Sequence, residues 1–330
     1  MKAALLQMVS VTDMPANLDA AERLLAQAAQ AGAELAVLPE YFCLIGRHDS
    51  DKLALQEAFG SGPIQDFLAA QARQHGLWLV GGTLPLRTEG DDSGTHVFNS
   101  SLAFDPQGHC AARYDKMHLF RFDNGTEAYD ESRVLQAGSV PAQFALPSRD
   151  GHRWNIGLSV CYDLRFAELY RHYAASGADL LLVPSAFTHT TGAAHWEVLL
   201  RARAIENLSY VLAAAQGGTH PSGRQTWGQS IVIDPWGAVL AQQAQGPGVV
   251  LADIDAAALA QRRVQFPALQ HRLLCAQRAA WLRAAAVPHH RAGVAAHLYP
   301  ARKTWSTRRC RPRSGRRPGL LTVSRSWGMR

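Results

Sequence analysis

Short runs of consecutive apolar residues recur along this chain, each closed by a proline or a polar residue and each alternating with a segment of helical period. "LAVLPE" (35–40), "LWLVGGTLPL" (77–86), "NIGLSVC" (155–161), "DLLLVPSAF" (179–187) and "YVLAAAQ" (210–216) are such runs. A strand that is apolar at every position needs cover on both of its faces. Between the runs, "NLDAAERLLAQAAQAGAEL" has Leu18, Ala21, Leu24, Leu25 and Ala28 on one helical face, with Asn17 as the expected N-cap and Gly32 as the expected stop. "GPIQDFLAAQARQHG", "RFAELYRHYAASGA" and "HWEVLLRARAIENLS" follow the same helical pattern. Strands alternating with helices imply layered α/β architecture. Two Asp-Pro-x-Gly turns, Asp105–Gly108 and Asp234–Gly237, add hairpins and make the sheets mixed.

The 330 residues suffice for one large α/β domain or two small ones. No apolar run reaches the ~18–20 residues needed to span a bilayer, and "MKAALLQMVS" lacks the core of a signal peptide. A cytoplasmic protein without a membrane partner is expected. The five cysteines include no CxxC pair, which argues against a disulfide framework and against a thiolate zinc site. The net charge of +6 belongs to one end of the chain. Eleven of the 33 Lys and Arg lie beyond residue 284 with no Asp or Glu among them, leaving 22 basic and 27 acidic groups before that point. The expected organisation is therefore a folded domain over 1–284 and a basic, disordered tail over 285–330. A polyanion-binding arm, a solvated extension, a segment packed on a partner subunit and an out-of-frame translation all fit the tail's composition.

Three strand ends carry chemistry. Glu40 closes "LAVLPE", Lys116 follows "CAARYD", and Cys161 closes "NIGLSVC". Ligands in layered α/β proteins sit at the carboxyl ends of strands. Taken singly, Cys161 reads as a packed thiol, Glu40 as a solvated cap or salt-bridge partner and Lys116 as a surface cation. Brought to one rim, the thiol could attack a carbonyl, the carboxylate could take its proton, and the ammonium could hold the oxyanion.

"LAVLPEYF", "RYDKMHLF" and "GLSVCYDLRFAELYR" resemble, in this order and spacing, the three signature segments of the nitrilase superfamily of carbon–nitrogen hydrolases. The resemblance runs from about Lys2 to about Leu274. It implies a four-layer α-β-β-α sandwich, dimerised or further assembled into homo-oligomers. It implies Cys161 as nucleophile, Glu40 as general base and Lys116 as oxyanion stabiliser, with the Tyr162 N–H as second oxyanion donor. "YDESRVLQAG" matches the segment that carries a further glutamate, so Glu131 would orient Lys116 or help position water. The implied reaction is hydrolysis of a small-molecule amide through a thioester, with no metal and no organic cofactor.

The text from "PSAFTHTTGAAHWE" to "IVIDPWG" is similar to the amidases that act on ω-amides of small 2-oxo acids. One branch cleaves a 2-oxoglutaramyl dipeptide, which the run "YVLAAAQGGTH" favours; a sibling branch hydrolyses 2-oxoglutaramate. Arg165 suits a substrate carboxylate, although a structural pair with Asp163 or Glu168 competes. Phe187, Thr191 and His195 lie on the loop where the resemblance puts the pocket. Glu197 reads as structural, His118 as a solvated or core histidine, and Cys43 as a packed thiol near the pocket mouth. A non-catalytic scaffold is the competing class. Nucleic acid is not expected as a partner, and polyanion binding would rest on the tail alone.

Overall fold

The computed structural model describes residues 1–88 and 94–272. The first half of the chain runs β1 (Lys2–Gln7), α1 (Met14–Gln30), β2 (Leu35–Val37), α2 (Pro63–His75), β3 (Trp78–Val80), β4 (Leu84–Arg87), β5 (Val97–Phe104) and β6 (Cys110–Asp115). A small ribbon follows, β7 (Arg121–Asp123) with β8 (Ala128–Asp130). The second half runs β9 (Gln143–Pro147), β10 (Arg153–Leu158), α3 (Ala167–Ala175), β11 (Leu180–Leu182), α4 (His189–Asn207) and β12 (Tyr210–Ala213). Then come the hairpin β13 (Gly217–Thr219) and β14 (Gln225–Trp227), the strands β15 (Ser230–Ile233), β16 (Val239–Gln243) and β17 (Gly248–Asp253), and α5 (Ala256–Gln265).

Two mixed sheets result. One has the order β17-β1-β2-β3-β5-β4 with β6 also on β5, and the other has the order β16-β15-β12-β11-β10-β9. Each has three parallel strands at its centre, β1-β2-β3 and β10-β11-β12. The apolar runs explain the layering. In β1, Ala3 and Leu5 join one core while Ala4 and Leu6 join the other, with every one of them fully buried. The Ala4 and Leu6 core also contains Leu24, Leu25 and Ala28 of α1 and Ile64, Leu68 and Ala72 of α2. The Ala3 and Leu5 core contains Trp154, Ile156 and Leu158 of β10, so this face meets the second sheet. Trp78 of the first sheet stacks on Phe144 of the second at 5.6 Å. Helix α3 covers the other side of β10, where the Tyr173 ring occupies the space a Cβ on Gly157 would need. The order is helix, sheet, sheet, helix, as the resemblance implies.

Three local expectations are corrected. Helix α1 begins at Met14 and is capped by Asp13, whose side chain accepts from the Ala16 N–H at 2.9 Å. Asn17 is instead buried inside the first turn and bonds Val11 and the Cys43 carbonyl. The run 77–86 is two strands rather than one, broken at Gly81 and Gly82. Gly82 has φ 52°, and a Cβ there would lie 2.0 Å from the Pro39 carbonyl oxygen. The glycine lets the chain cross the end of β2, where the Thr83 hydroxyl accepts the Tyr41 N–H at 2.8 Å. Helix α4 starts at His189, six residues before the "HWE" text. The ribbon β7-β8 and the hairpin β13-β14 are short and half exposed, so no periodicity announces them. The expected tail lies outside the described residues. Among the described residues no helix is long and apolar enough to cross a membrane.

Gly32 and Gly82 provide a paired test, because only Gly82 is crowded. Gly32→Ala should cost about 1 kcal/mol, the penalty of the left-handed conformation alone. Gly82→Ala should cost about 3 kcal/mol or more, since the Pro39 backbone must also move. Urea midpoints measure both. Equal losses would mean that the Pro39 segment yields freely.

Candidate active site

Glu40 follows β2, Lys116 follows β6 directly, and Cys161 lies just past β10. Lys116 is fixed through its backbone, its N–H bonding the Asn99 carbonyl at 3.0 Å and its carbonyl accepting from Gly138 at 2.9 Å. Cys161 opens a 3-10 turn over Cys161–Arg165 and has φ 48°. A non-glycine residue in that region is strained and needs surrounding contacts to hold it. The Cys161 N–H donates to the Pro184 carbonyl at 3.0 Å.

Asp163 does most of the remaining holding. Its carboxylate accepts from the Val160 N–H at 2.8 Å, the Tyr114 hydroxyl at 2.7 Å and the His118 N–H at 3.0 Å. The His118 Nδ1 is also 2.7 Å away, and its ring stacks on Phe166 at 3.7 Å. Asp163 is fully buried, so these donors offset its desolvation. The contacts tie the turn that carries Cys161 to the segment that carries Lys116. The alternative pairing of Arg165 with Asp163 therefore does not occur, and His118 is a half-buried anchor.

The charges at the strand ends form one buried cluster. The Lys116 Nζ donates to Glu40 at 3.0 Å and to Glu131 at 2.8 Å. Lys116 and Glu40 are each 1% exposed. Glu40 also accepts from the Asn99 side-chain amide at 3.0 Å and from the Ala186 N–H at 2.8 Å. Glu131 accepts from the Tyr41 hydroxyl at 2.9 Å and the Phe120 N–H at 2.7 Å. Burial alone would push the Lys116 ammonium down, but the Glu131 and Glu40 carboxylates outweigh it and hold it above the ordinary lysine range. Burial would push Glu131 up, but Lys116 and the Phe120 N–H bring it below the ordinary carboxylate range. The Cys161 thiol is pushed well above its ordinary value, first by burial and then by the Glu40 charge, with Lys116 opposing. Burial and the neighbouring carboxylates therefore favour the thiol over the thiolate. Of the two ways to activate sulfur, a standing thiolate or proton removal during attack, the electrostatics favour the second.

A cleft of about 290 Å³ opens over Cys161, with Glu40, Glu131 and Phe120 on its wall. Tyr162, Arg165, Phe187 and Thr191 line it too. The Tyr162 N–H has no acceptor among the described residues. Thr191 shares a 2.8 Å hydroxyl contact with Thr188, which also faces the cleft. His195 is outside the lining and exposed; its Nδ1 lies 3.3 Å from an Arg165 guanidinium nitrogen. Glu197 is exposed and pairs with Arg201 along α4. Cys43 is buried against the Thr83 carbonyl and lines a separate cavity, and burial raises its thiol to about 12. Tyr41, Asn99 and Arg224 do not figure in the sequence reading, and Asp163 figures there only as a partner for Arg165. Tyr41 and Asp163 stand beside signature residues. Asn99, a polar residue within the buried strand "VFNSSLAF", was the one readable signal. Among the described residues no group of three or more His, Cys, Asp or Glu is arranged to hold a metal ion.

Glu131 makes the cluster's stability depend on pH. Its lowered carboxyl contributes stability that is present above the ordinary value of 4.5 and lost as pH falls through the lowered one. Lys116 has the opposite sign, its contribution being present below 10.5 and lost as pH rises through the raised value. Glu131→Gln should therefore cost about 2 kcal/mol at neutral pH. The gap to the wild type should close below pH 4.5. Urea midpoints across pH measure it, and a constant gap would show that Glu131 is not ionised in the folded protein.

Known proteins resemble the chain along nearly all of its described length. A family model for carbon-nitrogen hydrolases matches residues 2–264. A deaminated glutathione amidase of Synechocystis sp. is 40% identical over 273 residues, which cover 82% of this chain and 97% of that protein. The crystal structure of C. elegans NitFhit superposes with a TM-score of 0.72 at 38% identity, covering 82% of this chain and 65% of that longer one. Saccharomyces cerevisiae Nit3, a member of branch 10 of the nitrilase superfamily, superposes with a TM-score of 0.71 at 29% identity, covering 84% of this chain and 96% of that one. Sequence match, layered fold and strand-end site coincide in the same residues, and the chain belongs to the carbon–nitrogen hydrolases of the nitrilase superfamily.

Proposed function

We propose that the chain is an amidase for the ω-amide of a small 2-oxo acid, with a 2-oxoglutaramyl dipeptide, deaminated glutathione, as its substrate. The observation that carries the reading is that Cys161, Glu40 and Glu131 line one cleft while the buried Lys116 ammonium donates to both carboxylates. The substrate assignment draws on the likeness to the deaminated glutathione amidase of Synechocystis sp..

In this reading the Cys161 sulfur bonds to the amide carbonyl carbon while its proton passes to Glu40. The carbonyl electron pair moves to oxygen. Lys116 uses two of its three N–H groups on Glu40 and Glu131, leaving one for the oxyanion. The Tyr162 N–H is the second donor. The C–N bond breaks as Glu40 returns the proton to the leaving nitrogen. Water then adds to the thioester, giving a proton to Glu40, and that proton returns to sulfur as the C–S bond breaks. The steps balance with water alone. Glu131 keeps Lys116 charged and directed. Arg165, beside Phe187 and Thr191, receives the 2-oxo acid carboxylate. His195 acts through Arg165 by orienting its guanidinium. The reading includes a homodimer or higher homo-oligomer, for which exposed Trp236, Leu240, Val264 and Phe266 supply apolar surface. Sedimentation of a monomer would refute that part.

Side-by-side hydrolysis of deaminated glutathione and 2-oxoglutaramate, with 2-oxoglutarate as the detected product, is the direct test. Preference for the dipeptide supports the reading, and the reverse preference makes the chain an ω-amidase. Cys161→Ala should abolish turnover with the fold intact; residual turnover would end the thioester mechanism. Lys116→Ala should lower kcat by about 10²–10³-fold, as for loss of an oxyanion donor. Glu40→Gln separates base catalysis from a standing thiolate. It removes a charge that raises the thiol, so alkylation by iodoacetamide should reach its plateau at lower pH while hydrolysis is lost. Hydrolysis that survives with easier alkylation would contradict the role of Glu40.

A further inference from the structure

The cleft holds two guanidinium groups, Arg165 and Arg224. Other half-buried arginines of the fold are ion-paired: Arg113 with Asp115, Arg171 with Glu206 and Arg263 with Asp179. Arg224 donates to the Ala186 carbonyl at 3.2 Å, and its buried Nε has no partner. It is flanked by the rings of Tyr41 at 5.9 Å and Tyr129 at 5.7 Å. An arginine with five N–H donors that lines a cleft and has no ion-paired carboxylate among the described residues is equipped to bind an anion.

Its support is rigid. Arg224 sits at the tip of the β13-β14 hairpin, where its carbonyl accepts from the His220 N–H at 2.9 Å. The buried His220 ring spans the Ser10 carbonyl and the Thr226 hydroxyl at 2.8 Å each. Its side of the cleft can be identified as well. Ala186 donates its N–H to Glu40 and accepts from Arg224 through its carbonyl. Arg224 therefore lies next to the proposed base. Arg165 lies over the rings of Tyr162 at 5.7 Å and Phe187 at 5.6 Å.

We propose that Arg224 binds the terminal carboxylate of the leaving amine and so selects a dipeptide amide over a simple primary amide. The inference rests on the amidase reading above and adds the second half of the substrate site. Glu40 must reach the leaving nitrogen, so the leaving group extends on the Glu40 side, toward Arg224. Two residues of extended chain span about 7 Å, enough to carry a terminal carboxylate from that nitrogen to the neighbouring wall. Two guanidinium groups line the cleft, and a 2-oxoglutaramyl dipeptide carries two carboxylates, one for each, whereas 2-oxoglutaramate carries one.

The experiment compares two substrates that differ only at the leaving end, 2-oxoglutaramyl-cysteinylglycine with a free carboxylate and the same compound with a terminal carboxamide. The wild-type ratio of kcat/KM, carboxylate over carboxamide, should be about 10-fold or more, the usual worth of a charge-assisted hydrogen bond. Arg224→Gln should bring the ratio to about 1, Arg224→Lys should leave it in between, and Arg165→Gln should lower both rates while keeping the ratio. A ratio is unaffected by partial loss of folded enzyme. Equal wild-type rates on the two compounds, or a ratio that survives Arg224→Gln, would overturn the role of Arg224 and leave the amidase reading standing. A wild type that hydrolyses neither compound but hydrolyses other amides through Cys161 would overturn the substrate reading, and this inference with it.

Discussion

One ammonium held between two carboxylates organises the site. Burial alone would push the Lys116 ammonium down, and Glu40 and Glu131 at 3.0 and 2.8 Å reverse that tendency. Taking either carboxylate away would leave buried charge incompletely compensated, a costly state. The cluster also sets the chemistry open to Cys161. Burial of the sulfur, with two anions and one cation near it, favours the thiol over the thiolate, which suits the proposed role of Glu40 as a base.

The cluster works only if three chain segments stay in register, and buried polar residues keep them there. Asp163 fastens the strained turn of Cys161 to Tyr114 and His118, which flank Lys116 in the chain. Asn99, on strand β5, donates to Glu40 and also accepts the Lys116 N–H through its own carbonyl. Ala186, beyond β11, completes the shell around Glu40. Asn99 lies within β5, Asp163 in the turn after β10 and Ala186 beyond β11, so strands of both sheets contribute to the site. Gly82 belongs to the same logic, since it lets the backbone cross tightly over Pro39.

The layered architecture was legible because its signal is local. Uninterrupted apolar runs such as "LAVLPE" require cover on both faces, and the structure divides Ala36 and Val37 between two cores. The two Asp-Pro-x-Gly turns were legible for the same reason. The β7-β8 ribbon and the β13-β14 hairpin were not, because three-residue strands carry no period. Asn17 was misread as a cap because its pull comes from Val11 and Cys43, residues outside the helix.

By itself the sequence determined the strand-and-helix rhythm, the positions of Glu40, Lys116 and Cys161 at strand ends, and the family. All of these depend on residue type at short spacing. Only the tertiary structure decided the shared ammonium, the burial of the Cys161 thiol beside two carboxylates, the anchoring by Asp163 and the second guanidinium at Arg224. Each of those depends on groups far apart in the chain, such as Glu40 and Ala186, that meet when two sheets pack face to face. Ionisation in particular is set by burial and by the neighbours that burial brings, and neither exists before the chain folds.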